Sequence, residues 1–127
     1  MIVLDASVLI AQLDQNDALH AAAGQQLRTA VKRRFGFGAS TITIAEVLVG
    51  PTSAGTLHTA QTALRALRVA ELPLPPRAAI RLASLRAETG LKLPDCCVLL
   101  AAEDANSGVL TFDERLARAA AERGLGS

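Results

Sequence analysis

The first apolar run of the chain, Ile2-Val3-Leu4, ends directly in the carboxylate of Asp5. A run this short and apolar is typical of a fully buried strand, so we expect Asp5 where that strand leaves the sheet. In open α/β sheets, ligands bind in the crevice outside the carboxyl ends of the strands. Asp5 is therefore a candidate site residue, although an aspartate here is equally suited to begin the following helix as its N-cap. The rest of the chain has to distinguish these two interpretations.

Segments with the pattern of strands alternate with helical segments along the chain. Further short strands are predicted at Phe37–Ser40, Val69–Leu74 and Gly108–Thr111. This alternation predicts one α/β domain over residues 1–127, with a central, mainly parallel sheet of four to five short strands and helices on both faces. The predicted helices cover Ser7–Asp14, Ala18–Arg34, a segment from Ser40 or Thr41 that Gly50-Pro51 closes, Ser53–Leu67, a segment from Pro75-Pro76 to Gly90, Leu93–Asn106 and Glu114–Arg123.

Composition excludes several functional classes. The chain has no Trp or Tyr and three Phe, which argues against nucleic-acid binding by base stacking on aromatic side chains. Its longest uninterrupted apolar run, Cys96–Ala102, is far shorter than the roughly 20 residues that span a bilayer, and no leader pattern precedes the first strand. We therefore expect a soluble, cytoplasmic protein without a membrane partner. Cys96 and Cys97 are adjacent, which suits neither an intramolecular disulfide nor a metal site, so we interpret them as core residues.

Four acidic residues interrupt apolar segments, where an unpaired charge costs free energy. Asp5 follows the first strand, Glu46 lies within an apolar helix, Asp95 begins another apolar helix, and Asp113 follows the last strand. In a doubly wound sheet, all four can converge on one crevice. If they do, thirteen basic residues face eight acidic ones elsewhere, and this basic surplus permits a polyanionic substrate.

Converging carboxylates repel one another by about 4 kcal/mol for a pair 4 Å apart at an effective dielectric constant near 20. Such a cluster raises its own pKa values or demands a cation, and hard oxygen ligands favour Mg²⁺ or Mn²⁺. One or two ions, bound directly or through water, could activate a water molecule for attack on a phosphodiester. The hydroxyls of Ser7 and Thr111 are expected to support the ligands or waters around them.

The four carboxylates lie in the segments Leu4–Ser7, Thr43–Gly50, Leu93–Asp95 and Leu110–Leu116. Together these four segments resemble the PIN-domain ribonucleases, and in particular the VapC toxins of bacterial VapBC toxin-antitoxin pairs. The resemblance implies a PIN-like fold and a metal-dependent endoribonuclease with Asp5, Glu46, Asp95 and Asp113 as its acidic quartet. It also implies a homodimer and a cognate VapB-type antitoxin that blocks the active site in a hetero-oligomer. Two features depart from the family: Leu116 stands where Phe is common, and a final edge strand at Gly124–Ser127 is short or absent.

The helix that follows Pro75-Pro76 is predicted to point Ile80, Leu82 and Leu85 inward and to carry basic residues outward. Together with Lys92, these basic residues are predicted to contact RNA or the antitoxin near Asp95. The competing interpretation is an ordinary solvated helix face. The basic residues of the prediction are Arg77, Arg81, Arg86 and Lys92.

Two other functions remain open from the sequence. The first is a non-catalytic binding module whose acidic pocket receives a basic segment of a partner. The second is an aspartyl-phosphate phosphatase, whose site also opens with an aspartate after the first strand. Those phosphatases use a second aspartate two residues further on, and here that position is Ser7.

Overall fold

The computed structural model describes all 127 residues, as four short strands and seven helices. In chain order the elements are β1 (Ile2–Leu4), α1 (Ala6–Leu13), α2 (His20–Lys32), β2 (Phe37–Ser40), α3 (Thr41–Ala54), α4 (Leu57–Ala66), β3 (Val69–Leu72), α5 (Ala78–Thr89), α6 (Leu93–Ala105), β4 (Gly108–Leu110) and α7 (Glu114–Glu122).

The four strands form one sheet in the order β3-β2-β1-β4, and every neighbouring pair is parallel. In the centre, Ile2 lies beside Phe37 on one side and Gly108 on the other. Because the strands are parallel, all four carboxyl ends lie at the same edge of the sheet. The segments that leave β1, β2 and β4 therefore start from the same side of the molecule, which is where the candidate site is built.

Helices cover both faces of the sheet, as the sequence predicted. Val3 packs in one buried cluster with α6 and α7, whereas Ile2 and Leu4 pack in a second cluster with α1 and α2. Side chains of a strand alternate between faces, so a strand covered on both sides is apolar at every position. This explains why the opening run has no polar residue. Cys96 and Cys97 are both buried in α6, and the prediction that they are core residues is confirmed.

The predicted end of α3 at Gly50-Pro51 is wrong, because the helix continues through Pro51 to Ala54. It ends at Gly55, whose φ of 74° lies in the left-handed region that glycine adopts without steric cost. The backbone N–H of Thr56 then bonds to the Pro51 carbonyl at 2.8 Å. As a result the next helix, α4, starts at Leu57 rather than at Ser53.

The inward face of α5 differs from the prediction at Ile80, which is 64% exposed. Leu85 is buried, and Ala78 and Leu82 pack against the same core cluster. These three positions are spaced i, i+4 and i+7 and so form one stripe of the helix, whereas Ile80 lies about 200° around the axis from Ala78.

The two edges of the sheet end early. β3 stops at Leu72, before Pro73, which has no N–H to donate to a neighbouring strand. Beyond β4, the C-terminal segment forms a single parallel bridge between Val109 and Gly126, with the Val109 N–H bonded to the Leu125 carbonyl at 2.8 Å. The final edge strand is therefore reduced to one bridge.

None of the helices combines the length and apolar character that crossing a bilayer requires.

Candidate functional site

Asp5 lies at the carboxyl end of the central strand and is buried, with 5% of its surface exposed. Its backbone N–H bonds to the carbonyl of Leu110 at 3.3 Å, which ties the exit of β1 to the exit of β4. One carboxylate oxygen, Oδ1, accepts the backbone N–H of Val8 at 3.2 Å, so Asp5 is the N-cap of α1. The capping interpretation is therefore correct, but it accounts for only one of the hydrogen bonds to the carboxylate.

Two hydroxyl groups provide the other hydrogen bonds to Asp5. Ser7 donates its hydroxyl to Oδ1 at 2.7 Å, and Thr111 donates its hydroxyl to Oδ2. Each hydroxyl oxygen also accepts a backbone N–H from the segment after β4: Ser7 accepts that of Phe112 and Thr111 that of Asp113, both at 3.0 Å. Ser7 and Thr111 therefore hold the carboxylate of Asp5 and the backbone of Asp113 in one hydrogen-bonded unit.

Asp113 is the N-cap of α7 and is exposed. Its Oδ1 accepts the backbone N–H of Leu116 at 2.9 Å. Leu116 is fully buried in the core cluster on that face of the sheet, so it anchors the start of α7. The role of Leu116 is therefore in core packing.

Glu46 and Asp95 lie on α3 and in the first turn of α6. Partial burial, followed by the negative charges of Asp113 and Asp5, raises the pKa of Asp95 above its ordinary value. Partial burial and the charges of Asp95 and Asp5 likewise raise the pKa of Glu46. Asp5 affects both groups and Asp113 affects Asp95, so the four predicted carboxylates form one electrostatically coupled group.

The four carboxylates are coupled without being assembled into a ligand cluster. No three Asp, Glu, His or Cys side chains lie close enough together to hold a metal ion as they stand. The chemistry of the donors nevertheless suits a hard divalent cation, because every candidate ligand is a carboxylate oxygen and the charged forms of two of the groups are destabilised by burial and by mutual repulsion. Binding one ion between them requires side-chain rotation, which exposure permits for Glu46 and Asp113.

The predicted basic residues are divided between two regions. Lys92 precedes α6 and is exposed, and its charge lowers the pKa of both Glu46 and Asp95. Arg81 instead forms ion pairs with Glu103 and Asp104 near the other end of α6, about 12 Å along the helix axis from Asp95.

Arg77, at the start of α5, lies one helical turn before Arg81, away from the carboxylates. Arg86 is close to the α5–α6 turn, where its guanidinium donates to the Leu91 carbonyl at 2.7 Å. Of the four predicted basic residues, the structure therefore brings Lys92 to the acidic group and leaves Arg77 and Arg81 outside it.

Sequence reasoning missed one cation. Arg115, in the first turn of α7, lowers the pKa of Asp95 through its positive charge. Its position in the sequence could have indicated this, because Arg115 lies two residues after Asp113 at the start of a helix and therefore stays beside the same site.

Comparison with known proteins identifies the family. A family model described as PIN domain matches residues 2–122. The chain belongs to the PIN-domain family. A search of curated proteins finds no relative at significant similarity.

Solved structures show the same PIN architecture over nearly the whole chain. A toxin-antitoxin complex from Klebsiella pneumoniae has a TM-score of 0.73 and 25% identity, covering 89% of this chain and 87% of that one. The sarcin-ricin loop cleaving toxin VapC20 of Mycobacterium tuberculosis has a TM-score of 0.72 and 16% identity, with coverages of 94% and 95%. VapBC2 of Rickettsia felis, bound to a DNA fragment from its promoter, has a TM-score of 0.72 and 17% identity, with coverages of 93% and 92%.

Proposed function

We propose that this PIN domain is the toxin of a VapBC-type toxin-antitoxin pair and cleaves RNA as a Mg²⁺- or Mn²⁺-dependent endoribonuclease. The observation that carries the proposal is the group of four coupled carboxylates at the carboxyl edge of the sheet, none of which forms an ion pair. The Klebsiella pneumoniae complex, at 25% identity over most of both chains, supports the toxin assignment.

Each of the four carboxylates has a role that follows from its surroundings. Asp5 is the fixed member, because Val8, Ser7 and Thr111 together hold both of its oxygens. Asp95 and Glu46 have raised pKa values, so a bound cation stabilises their charged forms most. One or two divalent ions, when bound, supply the charge that favours water attack on a phosphodiester and stabilises the leaving oxygen. Asp113 completes the group from the start of α7.

The proposed partners are RNA, a cognate VapB-type antitoxin and a second copy of the chain. An uncompensated acidic group attracts a basic segment, which gives the antitoxin a direct way to block the site. Large apolar side chains are exposed on several helices and support an assembly with partners that cover them. They include Val31 on α2, Val49 on α3, Ile80 on α5 and Leu93 on α6.

The proposal is tested by cleavage of a labelled RNA by purified protein with Mg²⁺, Mn²⁺ or EDTA. We expect cleavage with either ion and none with EDTA, and we expect Asp5→Asn to lower the rate by roughly 10²-fold or more. Asn also caps helices well, so this variant should still fold. The matched control is Asp104→Asn, which removes an exposed carboxylate that is ion-paired to Arg81. Equal rates for wild type and Asp5→Asn would refute the proposal.

The binding-module alternative is favoured by one observation, the lack of a preassembled group of three ligands. Thermal melting separates it from the enzyme. A metal that binds only the folded state stabilises by about 2.7 kcal/mol at a concentration of 100 times its dissociation constant, which raises the melting temperature of a chain this size by several degrees. A melting temperature that is the same in Mn²⁺ and EDTA supports the binding module instead.

A further inference from the structure

A groove lies beside the group of four carboxylates. It has a volume of about 460 Å³ and lies between the turn that joins α5 to α6 and one side of α7. Thr89 and Leu91 line it from the turn, and Arg115 and Arg118 line it from the first two turns of α7.

Arg115 and Arg118 are cations without a protein partner. Both are exposed, and neither side chain forms an ion pair or a hydrogen bond within the chain. The far end of the groove is different, because Arg123 donates hydrogen bonds there to Glu88 and Glu103 at 2.8 and 2.9 Å. Glu122 is the remaining acidic residue of the lining, in the last turn of α7. The free positive charge therefore lies at the end of the groove next to Asp113.

The same end of the groove adjoins the carboxylates. Arg115 comes two residues after Asp113, and one of its guanidinium nitrogens, Nη2, lies 4.0 Å from where a Cβ on Gly90 would stand. Arg118 is three residues further on, so it occupies the same face of α7 one turn away from the site. The two arginines thus form a line that starts at the acidic group and leads into the groove.

We propose that Arg115 and Arg118 bind backbone phosphates of the substrate strand next to the cleaved bond. The proposal rests on the proposed ribonuclease function. A polyanionic strand that approaches four carboxylates is repelled, and unpaired cations beside them offset that repulsion. Guanidinium groups are well suited to this task, because they stay charged and donate two parallel hydrogen bonds to a phosphate.

The experiment measures binding of two fluorescein-labelled 12-nucleotide probes, one RNA and one single-stranded DNA, by anisotropy in EDTA. EDTA removes both cleavage and metal affinity from the measurement. The test variant is the double substitution Arg115→Gln and Arg118→Gln. The control variant is Arg28→Gln with Arg65→Gln, which removes two exposed, unpaired charges from α2 and α4. Affinities are measured over a series of salt concentrations.

For single strands, each phosphate contact contributes a slope of about 0.7 to the fall of log affinity with log salt. We expect the test variant to bind both probes at least tenfold more weakly at low salt and to lose about 1.4 of the slope, relative to the control variant. Equal affinity and slope in the two variants would overturn the proposal, as would wild-type protein that binds neither probe. If wild type binds the probes but does not cleave RNA in Mg²⁺ or Mn²⁺, the ribonuclease proposal fails, and the variants still decide whether the phosphate site exists.

Discussion

Charged side chains cluster in two regions of this PIN domain. In one region opposite charges form ion pairs, and in the other the carboxylates lie near one another without ion pairs. On the outer side, Arg81 and Arg123 bridge carboxylates across α5, α6 and α7, at distances between 2.8 and 3.6 Å. The hydrogen bonds that Arg123 donates to Glu88 and Glu103 raise its pKa above the ordinary value, as expected for a cation with satisfied partners. We call this set of residues, Arg81, Glu88, Glu103, Asp104 and Arg123, the ion-pair network.

At the carboxyl edge of the sheet, by contrast, the carboxylates have other carboxylates as neighbours. Burial and mutual repulsion raise the pKa values of Glu46 and Asp95, and the nearby cations Lys92 and Arg115 form no ion pair with them. Repulsion of this kind is a cost to stability. The comparison teaches that the acidic residues of the ion-pair network stabilise the fold through their pairs, whereas the four carboxylates at the edge of the sheet have no such pairs and mark the proposed site.

The largest expected effect in this comparison comes from the hydroxyls that hold Asp5. Thr111→Val removes the hydrogen bond to Asp5 Oδ2 and the acceptor for the Asp113 N–H. We expect RNA cleavage to fall roughly 10- to 100-fold and the metal concentration for half-maximal activity to rise, as is usual when a partner of a metal ligand is lost. Thr62→Val is the matched control, because that hydroxyl bonds only to the His58 carbonyl on the exposed side of α4. A Thr111→Val rate within twofold of wild type would contradict the positioning role.

A smaller effect, on stability instead of on RNA cleavage, is expected when the ion-pair network is broken. Arg123→Gln breaks the pairs with Glu88 and Glu103, whose partly exposed geometry is worth about 1 kcal/mol in total. The melting temperature should fall by roughly 3 to 5 °C, and the rate of RNA cleavage at 25 °C should not change. Loss of cleavage by folded Arg123→Gln would show that the two regions are not functionally separate.

The smallest effect concerns stability of the metal-free protein against pH. Because the pKa of Asp95 is raised from its ordinary value of 3.8, the folded state binds more protons than the unfolded chain between the ordinary and the raised pKa. Stability in EDTA should therefore fall as pH rises through that interval. Asp95→Asn removes this contribution, so the variant should melt above wild type at pH 7, with a smaller difference at pH 4.

The matched control for this prediction is Asp104→Asn. Its carboxylate is ion-paired with Arg81, so its removal should leave the melting temperature unchanged or lower it slightly. If Asp95→Asn melts below wild type in EDTA at pH 7, the repulsion attributed to the acidic group is wrong.

Much of the fold followed from the sequence, because strands and helices have different apolar periods. The buried strand before Asp5 was predicted from three consecutive apolar residues, and the sheet is indeed covered on both faces. The end of α3 is not predicted, because a Gly-Pro pair predicts a break, whereas the structure continues the helix to Ala54 and ends it at the left-handed Gly55. The prediction that Ile80 faces the core is wrong, because only one stripe of α5 faces the core and Ile80 lies outside that stripe.

The sequence by itself determined which residues could form the site. Carboxylates that interrupt apolar segments are costly if they are buried without a partner, so their positions are informative before any contact is known. Only the tertiary structure decided how each is used. It showed that Asp5 both caps α1 and receives two hydroxyl bonds, and that Arg115 rather than Arg81 lies near Asp95. The physical reason is that pairing, burial and repulsion depend on distances between residues far apart in the chain, which local sequence pattern does not encode.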